Sequence, residues 1–181
     1  MTLIEIPKYL HELHGKQASV VSLVLVYSSA LFFGIFISTI IQPLDLAVWK
    51  SILLFIIVAD IAGGAIANFT TSTRQYYIEN KHLQLPFLLM HIIHPFLLFL
   101  LIPNFLSFSI FMGLFILFAL IILKILAHYI DLMAIAVFLF VIGITIILQL
   151  SCTFEFLKII PILFFLKLIL GFAVGVFSKE K

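Results

Sequence analysis

The chain has little charge and almost no cysteine. Only 10% of its 181 residues are Asp, Glu, Lys or Arg, whereas an average soluble domain carries about a quarter. The single cysteine, Cys152, excludes an intramolecular disulfide, so pairing says nothing about redox compartment. Net charge is +2, and the ten Lys and Arg residues are scattered. That excludes the basic block needed to neutralise nucleic-acid phosphates. The first seventeen residues lack the apolar stretch of a secretory signal, because Glu5, Lys8, His11, Glu12, His14 and Lys16 interrupt them. No internal repeat is visible, which withholds support from an inverted-repeat transporter.

What the chain has instead is apolar residues in long unbroken runs. They make up 65% of the sequence, and the mean hydropathy is +1.35. Runs of this kind would overfill the core of one soluble domain, so the bilayer must be the main solvent. Crossing a hydrocarbon core of about 30 Å takes about 20 helical residues. Windows of that length lie near residues 18–41, 46–69, 86–102, 105–127, 132–150 and 159–177. The runs are continuous and do not alternate with period two, which excludes a membrane barrel. The expected fold is an all-α integral membrane bundle of six transmembrane helices.

Punctuation supports the windows. Gln42-Pro43-Leu44-Asp45 ends the first, Pro103-Asn104 makes a tight turn, and Pro86 and Pro161 fall in first turns, where a missing donor costs little. Ahead of the first window, Leu3, Ile6, Leu10 and Leu13 recur at helical intervals with charged residues between them. This predicts a short N-terminal interfacial helix within residues 1–17. A tail of residues 178–181 follows the last window. Lys and Arg in short loops set orientation. Lys8, Lys16, Arg74, Lys81, Lys124, Lys179 and Lys181 fall on one side and only Lys50 and Lys158 on the other, so a multi-pass cell-membrane protein with both termini in the cytoplasm is expected.

An ionisable residue inside a span costs at least about 2.5 kcal/mol on insertion scales and is a functional candidate by default. Four qualify: Asp60, His91, His94 and Lys167. Asp60 lies seventeen residues before Tyr77 and His94 seventeen after it, so straight helices would bring them to similar depth. His91 and His94 share one helical face, a spacing suited to joint ligation of a metal or to a proton relay. Gly63 and Gly64 beside Asp60 allow close approach by a neighbouring element.

Three functions are expected from these residues. In the first, Asp60, His91 and His94 hold a divalent metal, zinc before others, and act as the catalytic centre of an enzyme working on a lipid or membrane-embedded substrate. A fourth ligand is missing there unless His82 or His128 folds inward. In the second, the same groups take up and release a proton or cation in a small coupled transporter. In the third, the chain is a non-catalytic subunit or assembly factor, and the hairpin is structural. Asn68, Arg74, Tyr77, His82, Lys124 and His128 are candidate contacts for a headgroup or substrate. The expected partners are membrane lipids, and Gly171 and Gly175 form a small-residue pair that could seat a second copy or a partner membrane protein.

Overall fold

The computed structural model describes residues 2–127, 131–151 and 154–177, so His128, Cys152 and the tail lie outside the described residues. Helices dominate: α1 (His11–His14), α2 (Val20–Ile40), α3 (Val48–Ala67), α4 (Thr71–Glu79), α5 (Gln84–Leu101), α6 (Leu106–Leu126) and α7 (Leu132–Gln149). The last long helix, α8, begins in α form over Ile159–Phe165, runs as a π-helix over Leu166–Ala173 and returns to α form over Val174–Phe177. Among the described residues six helices, all but α1 and α4, are long and apolar enough to cross a membrane. The chain is therefore a polytopic membrane bundle.

Local chemistry starts and stops these helices as expected. Ser19, Thr70 and Asp131 accept backbone hydrogen bonds at the starts of α2, α4 and α7, each supplying an oxygen to donors that would otherwise be unpaired in lipid. The turn between α2 and α3 is a 3-10 turn at Gln42–Leu44 closed by left-handed Asp45 (φ 46°), and left-handed Asn104 (φ 60°) closes the turn between α5 and α6. Asn and Asp tolerate that backbone better than other non-glycine residues. The helix α5 continues through Pro95.

α8 is the centre of the bundle: 78% of its span is buried, against 17% of α2 at the periphery. Its Phe164, Phe165 and Phe172 are fully buried. With lipid as apolar as the side chains, such contacts hold helices together through packing rather than water exclusion. α2 lies along α3, where the Gly34 position receives the Phe55 ring and a Cβ on Gly63 would meet Ala30 at 3.1 Å and the Val26 carbonyl at 3.3 Å.

The N-terminal segment departs from expectation. Strands β1 (Leu3–Glu5) and β2 (Gln17–Ser19) pair antiparallel, Ile4 opposite Ala18, and only Lys8–His14 between them is helical. Pro7 and left-handed Gly15 (φ 73°) bound this helical stretch. A side chain at Gly15 would also strike the Ser72 backbone. The hairpin and α1 sit on α4, where the Ser72 hydroxyl donates to the His14 carbonyl and the Thr73 hydroxyl donates to the Leu13 carbonyl at 2.8 Å. Arg74 of α4 in turn lies against Gly175 of α8. The N-terminal segment, α4 and the end of α8 thus form one end of the bundle.

Candidate functional site

Asp60 stands on α3, His91 and His94 on α5, and Lys167 at the second residue of the π-helical stretch of α8. One carboxylate oxygen joins them. Asp60 Oδ2 accepts from Lys167 Nζ at 2.8 Å and from His94 Nε2 at 3.0 Å, and His91 Nε2 lies 3.9 Å away. Lys167 Nζ also donates to the Asp60 backbone carbonyl at 3.1 Å. The two imidazoles stack, with centroids 5.0 Å apart and planes 11° from parallel.

The pair is asymmetric. The Lys167 side chain is 2% exposed and the Asp60 side chain 44%, so the carboxylate, not the ammonium, fronts open space. Room for the lysine comes from Gly64, one turn after Asp60, where a Cβ would fall on Lys167 Cε and Nζ. The expected close approach at Gly63 and Gly64 therefore divides in two: α2 packs on the first glycine, and the lysine lies over the second.

The histidine hydrogen bonds define their tautomers. His91 Nδ1 donates to the Phe87 carbonyl at 2.6 Å, leaving Nε2 as an acceptor. That Nε2 and His94 Nδ1 are buried without a hydrogen-bond partner among the described residues. Buried polar atoms are otherwise nearly always paired, so two orphaned imidazole nitrogens beside one ion pair call for an explanation beyond helix tying.

A cavity of about 240 Å³ opens onto the site. Asp60, Gly64, His91 and Lys167 form its inner wall; Asn68, Tyr77, Phe87 and Met90 line its sides, and Glu12 and Leu13 of the N-terminal segment also line it. Asn68 is buried, and its side-chain amide donates to the Lys167 carbonyl at 3.0 Å, tying α3 to the π-helical stretch. Arg74 Nε donates to the Asn68 carbonyl at 2.8 Å, and its guanidinium lies 5.3 Å from the Phe69 ring centre. Tyr77 is 1% exposed, and burial pushes its phenol above the usual range, keeping it a neutral wall group.

Of the residues singled out in the sequence, the structure brings together Asp60, His91 and His94, with Asn68 and Tyr77 around the adjoining cavity. Arg74 supports Asn68 from outside it. His82 is exposed on a 3-10 turn and does not line the cavity, and Lys124 lies against the Phe177 ring, 4.7 Å from its centre. Gly171 and Gly175 are occupied within the chain, by Asn68 and Arg74 respectively.

Lys167, one of the four ionisable candidates within the spans but given no part in the expected centre, proves to be the carboxylate's counterion. A signal existed, because Asp60 is the one acid within the apolar windows and Lys167 the one cation that stands well inside a window, Lys50 and Lys124 lying near window ends, and charges in lipid pair. Among the described residues no three His, Cys, Asp or Glu side chains converge in a metal-holding group. Comparison with protein-family models, curated proteins and solved structures finds no match for this chain.

Proposed function

We propose that this chain is a small proton-coupled membrane transporter in which a proton and the Lys167 ammonium compete for the Asp60 carboxylate. The observation that carries the reading is one shared oxygen: Asp60 Oδ2 holds an ammonium at 2.8 Å and an imidazole at 3.0 Å, each from a different helix. A proton arriving on Asp60 removes the charge that holds Lys167, whose ammonium would then keep only the neutral Asp60 backbone carbonyl as a partner in an apolar core. That is costly, so protonation and the relative placement of α3 and α8 are coupled. The π-helical stretch around Lys167 supports this, since such distortions occur frequently at functional sites. The Nε2 of His91, beside the cavity and 3.9 Å from Asp60 Oδ2, is a buried acceptor with no partner among the described residues.

The chain lies across the cell membrane with both termini cytoplasmic, a reading supported by the seven-to-two distribution of Lys and Arg. Membrane-impermeant maleimide should then label Ala47→Cys from outside intact cells and leave Thr2→Cys unlabelled, both in a Cys152→Ser background.

The coupling test uses proteoliposomes loaded with a pH-sensitive dye and challenged with panels of amino acids, short organic acids and sugars under an imposed potential. Wild type should change internal pH with at least one class of solute, and Asp60→Asn and Lys167→Gln should not. Wild-type vesicles that behave like empty ones across all panels sink the proposal. A divalent metal, zinc first, held by Asp60, His91 and His94 in a membrane enzyme is the second reading, favoured by the orphaned nitrogen of His91. It ranks below because the metal would have to displace Lys167 from Oδ2. It requires about one bound metal per chain on elemental analysis, lost in His91→Ala.

A further inference from the structure

The cavity beside Asp60 is lined by hydrogen-bond acceptors that lack protein donors. Asp60 spends one carboxylate oxygen, Oδ2, on Lys167 and His94, while Oδ1 accepts from no described residue. His91 donates from Nδ1 to the Phe87 carbonyl, so its Nε2 is an acceptor, and it too has no partner among the described residues. The Tyr77 hydroxyl is a third such group, and both side chains are buried, with His91 6% and Tyr77 1% exposed. Burial raises the Tyr77 phenol first and the charge of Glu12 raises it further, which puts the hydroxyl in the field of that carboxylate. Glu12, exposed on α1, lines the same cavity and has no hydrogen bond or ion pair with a described residue. The donors of the lining are already committed: Lys167 Nζ to the Asp60 carboxylate and carbonyl, and the Asn68 amide to the Lys167 carbonyl. Among the described lining residues, two carboxylates therefore stand against one ammonium.

We propose that this cavity binds a small primary amine, its ammonium on the free side of the Asp60 carboxylate beside His91 and its carbon chain along Leu13, Phe87 and Met90. An ammonium brings three N–H donors and one positive charge, which is what a lining of open acceptors with one carboxylate in excess lacks. It can share the carboxylate through Oδ1 and leave Lys167 on Oδ2, so the ion pair that joins α3 to α8 survives binding. An anion would meet both carboxylates, and a quaternary ammonium would bring the charge without a donor. Size agrees as well: at about 30 Å³ for each water-sized group, a cavity of about 240 Å³ holds roughly eight non-hydrogen atoms. The assignment rests on the Asp60 cavity being the solute site of the transporter proposed above.

The test is thermal melting of the detergent-purified full chain in butylammonium chloride, tetramethylammonium chloride, sodium butyrate and n-butanol, the salts at matched ionic strength. A ligand held by the folded state raises Tm with concentration, and that dependence gives its affinity. Wild type should bind butylammonium at least about tenfold more tightly than tetramethylammonium, which has the same charge and heavy-atom count, since one charge-assisted hydrogen bond is worth that much. Butyrate and butanol should give no saturable shift. Asp60→Leu/Lys167→Met, which strands no charge, should lose the butylammonium shift, and Glu12→Gln should weaken it about threefold, as suits one exposed charge. Should the double variant fail to fold, His91→Phe keeps a ring and removes the Nε2 acceptor, and it should cut affinity severalfold. Equal affinity for the two cations in wild type, or an undiminished butylammonium shift in any of these variants that folds, overturns the assignment. Amine-specific binding with no amine-dependent pH change in the dye-loaded vesicles would refute the proton coupling and leave this site standing. Coupled movement of other solutes without amine binding would overturn this site alone.

Discussion

Replacing Lys167 by Met removes the ammonium while keeping a side chain of similar length, and it leaves the Asp60 carboxylate with His94 as its remaining side-chain donor. Removing one partner of a fully buried pair costs about 3–5 kcal/mol. Here the figure is discounted, because the Asp60 side chain is 44% exposed to the cavity and can draw in water. A loss of about 2–3 kcal/mol is expected after that discount. For a chain of this length each kcal/mol corresponds to a Tm shift of about 2–4 °C, so Lys167→Met should melt about 4–12 °C lower. Asp60→Asn should lose a comparable amount by stranding the ammonium. The double variant Asp60→Leu/Lys167→Met strands no charge, and it should recover most of the loss, since apolar replacements of a buried pair are often neutral or better. Circular-dichroism melting in one detergent, with all variants side by side, measures the cycle. Single-variant losses that simply add in the double variant would show that the two side chains are not coupled and would refute the pairing argument.

The remaining expectations concern the surroundings of the pair. Gly64→Ala places a methyl on Lys167 Cε and Nζ, so the ammonium must move off the carboxylate; a loss of about 1–3 kcal/mol is expected by thermal melting, and it should shrink when the same change is made in a Lys167→Ala chain, where the struck atoms are absent. Asn68→Ala deletes the amide donated to the Lys167 carbonyl and should cost about 1–2 kcal/mol, with faster amide exchange over Leu166–Ala173. At the α4 end, burial holds His14 below its usual value near 6.5. Its folded pKa is depressed, so the unfolded segment binds the proton more readily, and stability present above about pH 6.5 is lost as pH falls. Amide protection factors in the N-terminal segment, corrected for the intrinsic pH dependence of exchange, should therefore fall at pH 5.5 relative to pH 8, and a His14→Gln chain that shows the same change would remove His14 as its cause.

Six membrane-length helices were legible because they rest on composition and length, quantities that tertiary context does not alter. The turns at Pro43-Leu44-Asp45 and Pro103-Asn104 were legible because proline and left-handed Asp and Asn act locally. The N-terminal segment was not. Its Leu3, Ile6, Leu10 and Leu13 match a helical face, yet the helix is confined to Lys8–His14 because Pro7 precedes it and Gly15 follows it. The partner of this segment is α4, sixty residues away, and its anchoring bonds run from Ser72 and Thr73 to carbonyls that carry no sequence signature. Periodicity reports which face is apolar and is silent on a backbone that turns back to pair with itself.

The site divides along the same line. Asp60, His91 and His94 were legible together because one hairpin carries them, and the loop length fixes their depth. Lys167 lies 107 residues from Asp60, on the helix that packs at the centre of the bundle, and no local pattern joins them. The cost of unpaired charge in lipid does: the lone acid of the spans and the one cation far from a span end each cost too much to face hydrocarbon separately, so their pairing constrains how α3 and α8 pack. The constraint also explains residues that seemed to belong elsewhere. Gly64 makes room for the lysine stem, Gly171 admits Asn68, and Asn68 fastens the backbone of the helix that bears the lysine. The small-residue pair on this helix thus meets side chains of its own chain, Asn68 at Gly171 and Arg74 at Gly175. The same logic gives the carboxylate its functional interest, because the pairing that fixes the helices is the pairing a proton from the cavity would undo.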